Sequence, residues 1–145
     1  MTRSTIDANL LVYSSDRDSP LHEPAEVLVQ RLAAGPDLVY LFWPIVMAYL
    51  RIATHPVIAR TPLSSSEAEA NMAQLLELPH FRVAGEQEGF WNQYLAVSAD
   101  VRPTGNLVPD AHIVALMREN EVRTIWTHDR DLRKFQGIEV RDPFG

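Results

Sequence analysis

Residues 107–131, LVPDAHIVALMRENEVRTIWTHDRD, contain the pattern that decides the fold. Four of these residues repeat at the spacing of one helical face, with a carboxylate at its N-terminal end. They are Asp110, Ile113, Val114 and Met117. Asn120 tolerates the left-handed conformation that closes a helix, and residues 122–126 are typical of a short β-branched and aromatic strand. The stretch therefore predicts a helix followed by a strand, with Asp110 facing the same way as the core residues.

Polar and acidic side chains follow this predicted strand directly. Thr127, Asp129 and Asp131 lie in the loop after it. In open α/β sheets, ligand sites form in the crevice outside the carboxyl ends of the strands. A TxDxD sequence at that place, facing a helix that begins near Asp110, therefore indicates where chemistry would occur.

Strand-like and helix-like segments alternate along the rest of the chain. Strands are predicted at residues 4–7, 38–42, 81–83, 122–126 and 138–141, and the intervening segments carry helical stripes. This alternation predicts an α/β fold with a central parallel sheet covered by helices on both faces. The length of 145 residues is typical of one domain, which would span residues 1–145.

Two predictions concern the region before Asp110. Residues 101–109 contain Pro103, Gly105 and Pro109, which predicts a loop that leads to Asp110. Trp91 shares one helical face with other apolar residues, and we expect its ring to lie in the core, because large aromatic side chains usually anchor cores. The alternative is a surface platform on which RNA bases stack.

Composition excludes several classes of protein. The chain has no cysteine, which excludes disulfide frameworks, thiolate zinc sites, iron–sulfur clusters and a cysteine nucleophile. No signal peptide is recognisable near Met1, and no apolar run approaches the ~20 residues of a membrane span, so a cytoplasmic protein is expected. The formal charge of −6 argues against nonspecific coating of nucleic acid, although divalent cations can neutralise an acidic nuclease site.

Four carboxylates form the candidate site: Asp7, Asp110, Asp129 and Asp131. Asp7 ends the first predicted strand, but either Asp7 or Asn9 could instead simply cap the helix that follows. Oxygen-only ligands favour Mg²⁺ or Mn²⁺. The chain has no HExxH zinc motif, no glycine-rich phosphate loop and no GxSxG elbow, which disfavours zinc protease, NTPase and serine hydrolase functions.

Four segments together resemble the PIN-domain toxins of bacterial toxin–antitoxin modules, the VapC family. They are STIDANLLVYS, FWPIVMAYLRIATHP, LVPDAHIVAL and TIWTHDRDLRKFQGIEVRDPF. The resemblance covers almost the whole chain in the right order. It implies a PIN domain with an α/β/α architecture and a metal-dependent endoribonuclease that hydrolyses RNA through a metal-activated water. It also implies inhibition by a VapB-type antitoxin, a homodimer, and an RNA substrate cut in a single-stranded loop.

The resemblance also assigns expected roles to individual residues. Asp7 and Asp110 would bind Mg²⁺ (or Mn²⁺), Asp129 would complete the acidic pocket, and Asp131 would be an auxiliary member of it. Small polar residues that orient the carboxylates or contact phosphate would be Asn9 and Thr127. The cations expected nearest the substrate groove are Arg51, Arg130, Arg133 and Lys134, although for each of them a surface salt bridge is at least as common as a contact with RNA.

One position departs from the family pattern. Many members carry a glutamate on the third helix where this chain has Ala48. Either the site works with fewer acids, or the chain is a catalytically weak PIN-like module that binds RNA or a protein. A phosphatase of the haloacid-dehalogenase type, with Asp7 as nucleophile, is disfavoured because Asn9 replaces its second acid and Lys134 is the only lysine.

Overall fold

The computed structural model of the protein describes residues 2–145, in which five strands, six α-helices and a short 3-10 helix alternate. In chain order the elements are β1 (Arg3–Ile6), α1 (Ala8–Ser15), α2 (His22–Ala34), β2 (Leu38–Phe42), α3 (Trp43–Ala53), α4 (Ser65–Leu76), β3 (Phe81–Ala84), α5 (Phe90–Val101), α6 (Leu107–Glu119), β4 (Thr124–Trp126), the 3-10 helix (Arg130–Lys134) and β5 (Glu139–Arg141).

All strands pair in parallel, in the order β3-β2-β1-β4-β5. The chain builds outward from β1 to β3 and then returns to the other side of β1 to add β4 and β5. Strand order therefore reverses between β1 and β4, and this is the point at which open α/β sheets form ligand crevices. The predicted parallel α/β fold is confirmed.

Register brings two predicted site residues together at this reversal. Ile6 of β1 pairs with Trp126 of β4. The ladder extends one residue further, because the backbone N–H of Asp7 donates to the carbonyl of Trp126 at 2.9 Å. Asp7 and Thr127, the residues after these strands, are consequently neighbours.

Helices cover the sheet in two groups. Helices α1 to α4 connect β1, β2 and β3, with α1 packed against both α2 and α3 and with α3 packed against α4, whereas α5 and α6 pack together on the connection from β3 to β4. Right-handed crossovers place the two groups on opposite faces. The core between them includes Ile6, Leu41 and Phe42 of the sheet and Leu116 and Met117 of α6, all fully buried. Among residues 2–145, no helix is long and apolar enough to cross a membrane.

The start of α6 differs from the prediction. The helix begins at Leu107, so the predicted loop over residues 101–109 ends earlier than expected. Pro109 lies inside the first turn, where a backbone N–H has no partner in the helix and proline is tolerated. Asp110 is consequently held by regular helix geometry.

The end of α6 also differs from the prediction by one residue. Asn120 has a φ of −101°, and Glu121 adopts the left-handed conformation with a φ of 58°. The N–H of Val122 donates to the carbonyl of Met117 at 2.8 Å, which is the bond that closes a helix from the second residue beyond its cap. Asn120 contributes differently, because its side-chain amide donates to the carbonyl of Leu116.

The prediction that Trp91 lies in the core is wrong. Its side chain is 63% exposed and stacks on Tyr94 at the surface of α5. The residues of α5 that pack against the core are Phe90, Tyr94, Val97 and Val101, spaced by four, three and four positions. Trp91 lies next to this stripe and points away from it.

Candidate active site

Asp7 is both a helix cap and a site residue. Its Oδ1 accepts a hydrogen bond from the backbone N–H of Asn9 at 3.4 Å, and this caps α1. Its Oδ2 accepts from the hydroxyl of Thr127 at 2.8 Å. Both roles considered for Asp7 are therefore present, and the two bonds fix the carboxylate at the end of β1.

Thr127 joins two of the acidic residues. Its hydroxyl donates to Asp7 and accepts from the backbone N–H of Asp129 at 3.0 Å. The side chain is completely buried, and its own N–H donates to the carbonyl of Arg141 in β5 at 2.9 Å. Hydrogen bonding to β5 thus fixes the position of Thr127, and its hydroxyl sets the relative position of Asp7 and Asp129.

The 3-10 helix after β4 supplies two more carboxylates. Asp129 caps this helix through a hydrogen bond from the N–H of Asp131 at 2.9 Å. Asp131 is exposed, and its carboxylate pairs with Lys134 at 3.1 Å. The pair is separated by three positions on the same short helix, so it stabilises Asp131 locally.

Asp110 completes the group from the first turn of α6. Carboxylate oxygens of Asp110, Asp129 and Asp131 lie within 4.8 Å of one another. Asp7 is joined to one of these three, Asp129, through the hydroxyl of Thr127. We call these four aspartates the acidic edge. The structure brings together all four acids predicted from the sequence. The three acids with the closest oxygens differ from the metal-binding pair expected from the resemblance, Asp7 and Asp110, and metal binding by that pair stays a prediction.

Burial and like charges shift the titration of the acidic edge. Burial, followed by the charges of Asp129, Asp7 and Asp131, raises the pKa of Asp110 to about 7, and Lys134 offsets this in part. Burial also raises the pKa of Asp7, although hydrogen bonds from Thr127 and Asn9 oppose the shift. These carboxylates therefore repel one another when ionised, and a bound cation would relieve the repulsion.

The donor set fits a hard divalent cation. The acidic edge offers carboxylate oxygens and the Thr127 hydroxyl as ligands, and Mg²⁺ and Mn²⁺ prefer oxygen ligands, usually one or two carboxylates together with water and phosphate oxygens. Asp110, Asp129 and Asp131 are close enough to share one ion.

Other predicted residues lie outside this hydrogen-bonded group. Asn9 is exposed and contributes its backbone N–H to Asp7. Arg51 is exposed in the last turn of α3, and no hydrogen bond or ion pair within residues 2–145 joins it to the four acids. Ala48 is partly buried against the core, so α3 supplies no acid at this position.

The sequence analysis missed a pair beside the acidic edge. His128 Nδ1 lies 2.8 Å from Asp142 Oδ2. Fourteen positions separate the two residues, and only the pairing of β4 with β5 brings them together. No local motif in the sequence signals such a contact.

A second polar indentation lies between α1, α2, α3 and α4, and we call it the helical cleft. It is lined in part by Ser15, His22, Glu26, Tyr49 and Asn71. The Tyr49 hydroxyl donates to Ser15 Oγ at 3.0 Å and accepts from the Asn71 amide at 3.2 Å. His22 and Glu26 pair at 3.1 Å. Polar groups in this cleft thus bind one another.

Comparison with known proteins gives consistent results. A model of the PIN domain family matches residues 5–138. Ribonuclease VapC48 of Mycobacterium tuberculosis is 52% identical over 140 residues, which cover 97% of each chain. VapC ribonuclease Mb2897 of Mycobacterium bovis is 28% identical over 95% of this chain and 93% of its own.

Solved structures share the fold at low identity. The crystal structure of VapC20 from Mycobacterium tuberculosis, described as a sarcin-ricin loop cleaving toxin, superposes with a TM-score of 0.70 at 18% identity, covering 95% of this chain and 98% of that one. VapBC2 from Rickettsia felis, bound to a DNA fragment from its promoter, gives a TM-score of 0.67 at 9% identity, with coverage of 97% and 98%.

Proposed function

Because this chain belongs to the PIN-domain family, and within it to the VapC ribonucleases, we propose that it is the toxin of a toxin–antitoxin pair and cleaves RNA internally. The observation that carries this proposal is the acidic edge at the reversal of strand order. Four carboxylates converge there, and the pKa of Asp110 is raised to about 7. Perturbed acids in such a crevice are typical of functional sites.

The reaction we propose is hydrolysis of a phosphodiester bond with Mg²⁺ or Mn²⁺ bound at the acidic edge. Asp110, Asp129 and Asp131 would hold the ion, and Asp7 would be a further ligand beside them. When bound, the ion supplies Lewis acidity that activates water and stabilises charge on the phosphate.

The chain's own residues would keep this site in order. Thr127 would orient the carboxylates of Asp7 and Asp129, because its hydroxyl is bonded to both residues. The N–H of Asn9 would hold one oxygen of Asp7 against the start of α1 and so limit the rotation of this carboxylate. Arg51 would contact RNA from the end of α3, where its side chain is exposed.

The absence of an acid at Ala48 leads to a direct test. We propose that the four aspartates suffice, so Ala48→Glu should leave the cleavage rate within about one order of magnitude, measured on the same RNA. Ala48 packs partly against the core, and a glutamate there loses hydration, so folding of the variant is checked by circular dichroism. An increase of several orders of magnitude would mean that the native site is impaired and would favour the weak binding module.

The partners follow from the same family assignment. We propose a VapB-type antitoxin as inhibitor, a homodimer as the active form, and the cytoplasm as the site of action. Exposed apolar pairs support self-association: Trp43 and Met47 lie one turn apart on α3, as do Trp91 and Leu95 on α5. The mass of the purified chain, measured by light scattering after gel filtration, tests the dimer.

The proposed activity is tested by incubating the chain, free of antitoxin, with total cellular RNA in Mg²⁺, Mn²⁺ or EDTA. We expect cuts at a few discrete sites with either metal, none in EDTA, and none with Asp110→Asn. The substrate we expect is a structured RNA cut in a single-stranded loop, where bases are accessible. Folded protein that cuts nothing with either metal would contradict the proposal and favour the binding module.

A further inference from the structure

A cavity of about 320 Å³ lies directly beside the acidic edge. Thr127 and Asp129 line it on the side of the acidic edge, and Arg130 and Arg133 of the 3-10 helix also face it. Its volume falls within the ~300–1,000 Å³ of known ligand pockets. Any molecule bound at the acidic edge can therefore extend into this cavity.

The opposite wall is held in place by residues after β5. Asp142 accepts hydrogen bonds from the N–H of Phe144 at 2.9 Å and contacts His128 at 2.8 Å. The ring of Phe144 packs edge-on against His128, with centroids 5.0 Å apart. Burial alone raises the pKa of Asp142, but these hydrogen bonds and the nearby charges of His128 and Arg133 hold it below its ordinary value. The wall is therefore formed before any ligand binds.

The cations of the 3-10 helix differ in their partners. Lys134 pairs with Asp131 at the acidic edge. Arg130 and Arg133 are exposed, and within residues 2–145 neither forms an ion pair within 4.0 Å of a carboxylate. Two arginines that form no ion pair among residues 2–145 are thus placed beside four aspartates in a chain with a net charge of −6. Such arginines are suited to phosphate, because the planar guanidinium binds its oxygens in pairs.

We propose that this cavity binds a backbone phosphate of the RNA next to the phosphodiester that is cleaved, through Arg130 and Arg133. The inference rests on the proposed ribonuclease function and adds the residues that hold the RNA strand. The acidic edge repels every phosphate that is not neutralised by a metal ion. Contacts to the neighbouring phosphate would offset this repulsion and fix which bond reaches the aspartates.

The test is the salt dependence of RNA binding. All proteins carry Asp110→Asn, so that a fluorescein-labelled, uridine-rich single-stranded oligoribonucleotide survives titration in Mg²⁺. Each phosphate contact to a single strand contributes about 0.7 to the slope of log K against log salt concentration. We expect Arg130→Gln or Arg133→Gln to weaken binding about tenfold and to lower the slope by about 0.7, and the double variant to lower it by about 1.4.

Arg123→Gln is the matched control, because Arg123 is exposed at the other end of β4. The salt dependence of RNA binding by this control should equal that of the protein that carries Asp110→Asn alone. An unchanged slope in the folded double variant would overturn the proposal, as would a loss of antitoxin binding with RNA binding intact. Cleavage of RNA by the wild-type chain in Mg²⁺ is measured in parallel. If the wild-type chain cleaves RNA but the slope of the double variant is unchanged, only the phosphate site is refuted. If the wild-type chain does not cleave RNA, the ribonuclease function itself is refuted.

Discussion

The acidic edge and the helical cleft are both polar indentations, but their internal chemistry is opposite. In the cleft, Tyr49, Ser15 and Asn71 exchange hydrogen bonds, and His22 pairs with Glu26. At the acidic edge, four carboxylates face one another, and Lys134 is the cation that pairs with them among residues 2–145. The cleft therefore stabilises the fold by itself, whereas the acidic edge is complete only when something positive binds.

This contrast distinguishes polar groups that stabilise the fold from polar groups that serve a reaction. A fold gains nothing from raising the pKa of Asp110 to about 7, because burial of this carboxylate and repulsion from its ionised neighbours both lower stability. Residues that oppose stability in this way are expected where they serve a reaction. Substitutions in the two regions should consequently have opposite consequences for activity and stability.

The largest difference is expected when one carboxylate in each region becomes an amide. Asp7→Asn at the acidic edge should lower the RNA cleavage rate by more than the ~10–100-fold typical of residues that only orient metal ligands. Glu26→Gln in the helical cleft is the matched control and should leave the rate unchanged, because the ion pair that Glu26 forms among residues 2–145 is with His22 on the surface of α2. Initial rates on one labelled RNA measure both. An equal loss of cleavage rate in the two variants would contradict the functional difference between the acidic edge and the helical cleft.

Thr127→Val should lower cleavage by about 10- to 100-fold, as expected for a residue that positions others. The substitution keeps the shape of the side chain and removes the hydroxyl that joins Asp7 to Asp129. Thr127→Ser retains the hydroxyl and should restore most of the rate. If the Thr127→Ser protein is folded but cleaves RNA as slowly as Thr127→Val, the rate depends on packing at this position and the hydroxyl is not the cause.

The pH dependence of stability distinguishes the regions without RNA. Unfolding returns the pKa of Asp110 from about 7 toward its ordinary 3.8, so between these values the folded state binds a proton that the unfolded state does not. The free energy of unfolding therefore falls as pH rises from about 4 to about 7 in EDTA. Asp110→Asn should be more stable than wild type at about pH 8 and similar at about pH 4. Urea denaturation measures this. A constant difference in stability between the two proteins across this pH range would contradict the raised pKa of Asp110.

The smallest expected effect belongs to the helical cleft. Tyr49→Phe removes the hydroxyl that bonds Ser15 and Asn71, and it should lower the free energy of unfolding by about 1 kcal/mol. The cleavage rate should not change, because the residue has no contact with the acidic edge. Thermal unfolding should shift by about 2–4 °C for a chain of this size. A stable variant with altered cleavage would show that the two regions are coupled.

The sequence predicted the acidic edge better than the helical cleft, for a physical reason. Parallel strands carry their carboxyl ends to one edge of a sheet, so strand patterns placed Asp7 and Asp129 at the same edge, and the family resemblance completed the group of four acids. Tyr49 and Asn71 meet because two separate helices pack, and no period in the sequence encodes the rotation of one helix against another. The same holds for His128 and Asp142, which approach only when β5 is added.

Errors in the prediction occurred where two patterns were equally compatible with the residues. Trp91 fits the apolar spacing of one face of α5, but the residues that pack on the core lie on an adjacent face, which includes Tyr94 and Val97. Pro109 is compatible with a loop or with the first turn of a helix, and the structure contains the second. Such choices depend on packing against neighbouring elements, which a single sequence does not specify.

The chemistry of the cut ends tests the central claim most directly. Wild-type chain is incubated with one RNA in Mg²⁺ and, as a control, in EDTA, and the fragment ends are identified by selective ligation. Hydrolysis by water at the acidic edge should leave a 5′-phosphate and a 3′-hydroxyl, in Mg²⁺ only. Fragments that end in a 2′,3′-cyclic phosphate would contradict the account, because the attacking group would then be the 2′-hydroxyl of the RNA itself.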